Sequence, residues 1–145
     1  MILEPRAADL DLADLETALL RAAVGDYSAE AAVLLLANAG HWLPQLQAAG
    51  LVSLLDDVDG EGLWAQVAWP EVDAALRAGT IGGSGSQLRL LRAAASLADG
   101  QPVDLSDLAA GLDRAALALL LAAVAHAGGS HGDDQPPLAA WPVRG

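Results

Sequence analysis

The chain has 145 residues, of which 54% are hydrophobic and 3% aromatic, and it has no Cys. That apolar fraction excludes intrinsic disorder, the length suits one domain with a real core, and the lack of Cys removes disulfide frameworks and thiolate sites. Seven basic residues against 19 acidic ones give a formal net charge of −12, which argues against nucleic acid as a partner.

Every basic residue is Arg (Arg6, Arg21, Arg77, Arg89, Arg92, Arg114 and Arg144), and there is no Phe. With Ala and Leu in excess, this matches the codon usage of a GC-rich bacterial genome. The acidity then serves to keep an apolar chain dispersed. Met1–Pro5 has no basic n-region or apolar h-region, and the longest apolar run, Ala115 to Ala125, falls short of a membrane span. A cytoplasmic protein with no membrane contact is expected.

A first helix is predicted from Asp9 to Val24, with Leu12, Leu15, Leu19, Ala22 and Ala23 near a 3.6-residue period and Asp9 or Asp11 as its cap. Gly25-Asp26 ends it. Ser28 is expected to cap a second helix over Ala29 to Ala39, with Gly40 just past its end. A short third helix fits Pro44 to Ala49. The apolar runs Leu51 to Leu55 and Leu63 to Trp69 flank an acidic, Gly-bearing loop and predict a β-hairpin. Its second strand turns Trp64 and Gln66 to one face and Leu63, Ala65, Val67 and Trp69 to the other. Pro70 stops that strand, and Glu71 to Ala78 predicts a helix ended by Gly79.

Thr80 to Ser86 reads as a flexible connector, and Ser86 as the cap of a helix over Gln87 to Ala98. Asp99 to Pro102 is a turn; Asp104 or Ser106 opens a short helix through Ala110. Asp113 then caps a last helix, Arg114 to Ala127. That helix is apolar all round, so it belongs at the centre of the core or in an oligomer interface. Beyond Gly128 the tail reads as irregular and partly mobile. The expected fold is mainly α: a compact helical domain of about five to seven helices with one short β-hairpin. One domain is expected, with sub-units at 9–79 and 86–128 joined by 80–86, and a tail at 129–145.

The order helix, helix, helix, hairpin across residues 10–69, with Leu46 to Val52 running into an Asp/Gly-rich loop, resembles a winged-helix domain. Residues 87–128 have the rhythm of a second such unit without its wing. The resemblance implies a third helix that enters the DNA major groove. Here Pro44 to Ala49 carries no charge, and the would-be wing bears Asp56, Asp57, Asp59 and Glu61, so phosphate would be repelled. A second echo is internal. Ser28–His41 and Asp113–His126 align without gaps, each with a capping residue, three successive Leu and a terminal His.

No catalytic or cofactor-binding set emerges. Gly82 to Ser86 lacks the Lys of a phosphate loop, and no HExxH or G-x-S-x-G pattern occurs. The loop from Asp56 fails the EF-hand pattern, because Val67 stands where the closing Glu belongs. No metal-ligand set is assigned; the residues that come nearest are His126, His131 and Asp133. Trp64, Leu117 and Leu121 are the candidate interaction residues. The function expected is a non-enzymatic protein–protein interaction or assembly module without a cofactor, homodimeric through apolar helix faces. The alternative is a regulatory protein with a degenerate winged-helix core, and the third reading is a small metal-dependent enzyme.

Overall fold

Short acceptor side chains start the helices. In the computed structural model, which describes residues 6–55, 62–132 and 134–144, the chain forms seven α-helices and one two-stranded antiparallel hairpin among those residues. A 3₁₀ turn at Ala7–Asp9 precedes α1 (Leu12–Ala23), α2 (Tyr27–Ala39), α3 (Trp42–Ala48), β1 (Val52–Leu55), β2 (Trp64–Val67), α4 (Trp69–Arg77), α5 (Gly85–Asp99), α6 (Leu105–Gly111) and α7 (Arg114–Ala127). The expected mainly-α fold with a short hairpin is the one observed.

Asp11 Oδ1 accepts from Asp14 N at 2.8 Å, Asp104 from Asp107 N at 3.1 Å, and Asp113 from Ala116 N at 2.8 Å. Each such cap contributes about 1 kcal/mol. Two caps differ from expectation, and α3 begins at Trp42, two residues before the expected Pro44. Asp26, not Ser28, caps α2, accepting from Ala29 N at 3.1 Å with its charge at the positive end of the helix dipole. Ser84, not Ser86, caps α5, because Gln87 stands three residues on and its side chain accepts from Ser84 N at 2.8 Å. Counted from Ser86 that position is Arg89, which has no acceptor to complete a capping box. Ser86 instead accepts from Asp113 N at 3.0 Å.

The chain divides into two compact units. One comprises Met1–Ala22 and Leu43–Gly82, the other Ala23–Trp42 and Gly83–Gly145. In the first, Leu15, Leu19, Leu46, Val52, Ala65, Val67 and Val72 are buried. Val52 pairs with Val67 and Leu54 with Ala65, while Ser53 and Gln66 form the exposed pair between them. Trp69 does not extend β2; it opens α4, with Pro70 in the first turn, where a missing N–H costs nothing. Within the segment at 80–86, expected as a connector, Ile81 is buried, and the Gln45 amide both donates to Gly82 O (2.8 Å) and accepts from Gly82 N (2.9 Å). The acidic loop from Asp56 to Glu61, singled out as a wing or calcium-loop fragment, lies outside the described residues.

In the second unit α2 packs on both α5 and α7, and α6 packs on α5. Ala31, Leu35, Leu36, Leu91, Ala94, Leu120 and Ala123 are buried. Trp42, fully buried, donates its indole N–H to Gln87 O at 2.7 Å. Thus α2, which precedes the hairpin in the chain, belongs with the helices that follow it. Gly40 and Gly100 end α2 and α5 with φ of 72° and 71°, a left-handed turn that favours glycine.

Two outcomes follow from this packing. Leu120 is 7% exposed, so Leu120→Asp buries an unpartnered carboxylate at a cost of several kcal/mol, out of about 5–15 kcal/mol of total stability. Far-UV circular dichroism of that variant should show loss of helix. The second outcome concerns Arg89 and Asp107, which link α5 to α6 through two hydrogen bonds of 3.1 Å. The Arg89 guanidinium holds the Asp107 carboxyl below the usual carboxylate range, chiefly by hydrogen bonding. A lowered folded-state value means the link stabilises above the ordinary carboxylate pKa and fades as pH falls through the lowered one. Asp107→Asn should therefore melt earlier than wild type at neutral pH, and the difference should vanish in strong acid.

Candidate functional site

His126 stands in the last turn of α7, and the chain reverses just beyond it. Gly129 has φ 82°, and a Cβ there would lie 3.4 Å from the Tyr27 ring, so this turn needs glycine. The reversal returns His131 to His126, with Nδ1 facing Nδ1 at 3.1 Å and ring centroids 5.1 Å apart. The outer nitrogens are held as well. His126 Nε2 lies 3.1 Å from Glu30 Oε1, in the first turn of α2, and His131 Nε2 lies 2.7 Å from Ala139 O. The His126 and Glu30 side chains are only 15% and 20% exposed. Tyr27 meets the His126 ring edge-on at 6.1 Å, and the Trp141 ring lies 6.2 Å from both imidazoles. Trp141 Nε1 is buried with no hydrogen-bond partner among the described residues.

The tail is irregular in secondary structure, as expected, and its described residues make defined contacts. Ser130 Oγ accepts from Leu138 N at 2.7 Å, and Arg144 Nε donates to Asn38 Oδ1 at 2.9 Å. With the His131–Ala139 contact, these bonds tie residues 130–144 to themselves and to α2. They are single side-chain contacts without apolar periodicity, so the sequence pattern carries no sign of them. Glu30, Tyr27, Ala139 and Trp141 escaped the sequence reading for the same reason. Glu30 is 96 residues from His126 and belongs to no motif. A lone Trp in a polar tail was the one available hint.

Of the three nearest metal-ligand candidates, the fold joins His126 and His131. Asp133 lies outside the described residues, and no group of three or more His, Cys, Asp or Glu side chains suited to a metal gathers among the described ones. His41, the counterpart of His126 in the internal echo, instead packs edge-on against Trp42 at 4.7 Å.

The interaction candidates fall in different places. Trp64 is half-buried on β2, in the first unit. Leu117 and Leu121 lie on the open side of α7: Leu121 and Val124 are 53% and 56% exposed, and Leu117, Ala118 and Ala125 are half-buried. At 100° per residue these five side chains form one apolar stripe, opposite the buried Ala116, Leu120 and Ala123. No family model, curated protein or solved structure matches the chain.

The anchored tail makes a direct prediction. His131→Ala removes the contacts to His126 and Ala139 while leaving the helices intact. Hydrogen exchange at the Leu138 amide should then accelerate roughly 5- to 30-fold, the equivalent of about one or two net hydrogen bonds. Amides of α7 before His126 should exchange as in wild type.

Proposed function

We propose that the protein is a non-enzymatic assembly module that self-associates through the open stripe of α7. The observation that carries this reading is the exposure of Leu121 and Val124 on a helix whose opposite side is already buried in its own unit. The stripe from Leu117 to Ala125 contains no charged or polar side chain. A second copy can therefore meet it without desolvating a charge, although each chain carries a formal −12. The stripe also suits a two-fold contact. Leu121 lies at its middle, and the smaller Ala118 and Ala125 lie either side, so an antiparallel copy sets large residues against small ones.

No helix of the described residues is long and apolar enough to cross a membrane. We place the assembly in the cytoplasm, in keeping with an acidic chain that has no Cys. The chain order α1, α2, α3, hairpin is in keeping with a second reading, a regulatory protein with a degenerate winged-helix core. However, α2 packs on α5 and α7 and not in the hairpin's unit, which favours the self-association reading. Under that reading too, the uncharged α3 and the acidic balance favour a protein partner over DNA.

Light scattering at micromolar to millimolar concentration should give the mass of two chains. Leu121→Asp should give the mass of one with an unchanged circular dichroism spectrum, weakening association roughly a hundredfold or more. A wild-type chain that stays monomeric throughout would overturn the self-association reading. Micromolar binding of duplex DNA at physiological salt would favour a nucleic-acid role instead.

A further inference from the structure

We infer that His126 and His131 form a site for a divalent transition-metal cation of the zinc class, bound through their two Nδ1 atoms. The argument starts from proton counting. A backbone carbonyl only accepts, so at 2.7 Å from Ala139 O the His131 Nε2 must carry a hydrogen. A carboxylate also only accepts, so at 3.1 Å from Glu30 Oε1 the His126 Nε2 must carry one too. A neutral imidazole has one N–H. With both rings neutral, the two Nδ1 atoms present lone pairs to each other across 3.1 Å. Two facing lone pairs repel unless a cation, a proton or a metal ion, lies between them, and the titration below separates the two.

Three further features fit a metal there. First, the outer nitrogens of metal-binding histidines are typically held by a carboxylate or a backbone carbonyl, which fixes the tautomer and aims the ring. Glu30 and Ala139 supply one of each. Second, the separation suits the bonds. With two metal–nitrogen distances of about 2.05 Å, nitrogens 3.1 Å apart subtend about 98°, between the square and the tetrahedral angle. Third, the indole N–H of Trp141, in the same cluster, is buried without a partner among the described residues. Two protein ligands leave open positions that water would fill, and a metal-bound oxygen offers that N–H an acceptor. Such a site is an open, exchangeable one that ties the tail to the end of α7.

The test is isothermal titration of the full chain, stripped of metal with a chelator, with Zn²⁺ at neutral pH. One Zn²⁺ per chain is expected. Binding should be lost in both His126→Ala and His131→Ala, weakened roughly 10- to 100-fold in Glu30→Gln, and unchanged in His41→Ala, whose ring lies outside the cluster. Circular dichroism of each variant establishes that the helices persist. Because His131 lies beyond α7, its variant keeps the test valid even if His126→Ala fails to fold. Cu²⁺ supplies a second readout: it should quench the fluorescence of Trp141, and His131→Ala should abolish that quenching. If wild type and His131→Ala take up Zn²⁺ alike, the uptake belongs to scattered surface carboxylates. If wild type takes up none, a shared proton joins the rings. Either result overturns the site.

Discussion

The second unit depends on the burial of α2 between α5 and α7. Ala31, Ala32, Leu35 and Leu36 give that helix a wide apolar surface, and each buried Leu contributes about 1.5–3 kcal/mol. Once α2 is fixed, the polar residues along it are fixed too. Glu30 in its first turn meets His126, Asn38 near its end meets Arg144, and Trp42 just beyond it meets the first turn of α5. A helix chosen for its apolar sides thus also places Glu30 against His126 and Asn38 against Arg144. Glu30 and Asn38 are eight residues apart, about 12 Å of helix, so α2 meets the end of α7 and the tail at separate points.

Element boundaries were legible where local chemistry decides them. Asp113 followed by an apolar run ended by Gly128 gave α7 to the residue, because cap, dipole and periodicity agree there. At α5 two serines competed, and the choice turned on Gln87, whose reach back to Ser84 is a three-residue pattern that the sequence does contain. The Gly/Ser segment before it makes contacts that its composition does not signal. Its composition signals freedom, whereas its conformation is set by Gln45, 37 residues earlier in the chain, and by burial of Ile81. Long-range contacts of single side chains leave no period to read. The same limit hid Glu30 and Trp141 from any reading of the histidines, and it let α2 pass as a partner of α1 and the hairpin.

The charge distribution is also tied to the helices. Asp11, Asp26, Asp104 and Asp113 spend their charge on exposed backbone N–H groups at helix starts, where the dipole favours an anion. These four carboxylates therefore serve folding. Glu30 acts differently: its Oε2 accepts from Gly25 N at 3.3 Å while Oε1 faces His126. One carboxylate so braces the entry to α2 and orients an imidazole from the far end of the unit. In a chain so rich in acid, a largely buried carboxylate aimed at a histidine differs in kind from the solvated ones around it.

Helix periodicity lets α7 carry two surfaces without conflict. Leu121 and His126 are five residues apart, which turns the side chains about 140° from each other. Leu120 and Ala123 face the core, His126 lies at the core's margin beneath the tail, and Leu121 and Val124 face outward. A second copy seated on the outward stripe would therefore not cover the imidazole pair, and a cation held by that pair would not sit in the contact. The link between the two surfaces is mechanical. Both depend on α7 keeping its rotation about its own axis, which Leu120 fixes from the inside and Glu30 fixes from the end. A change that rolled the helix would disturb both surfaces together, whereas a change confined to one face should leave the other as it is.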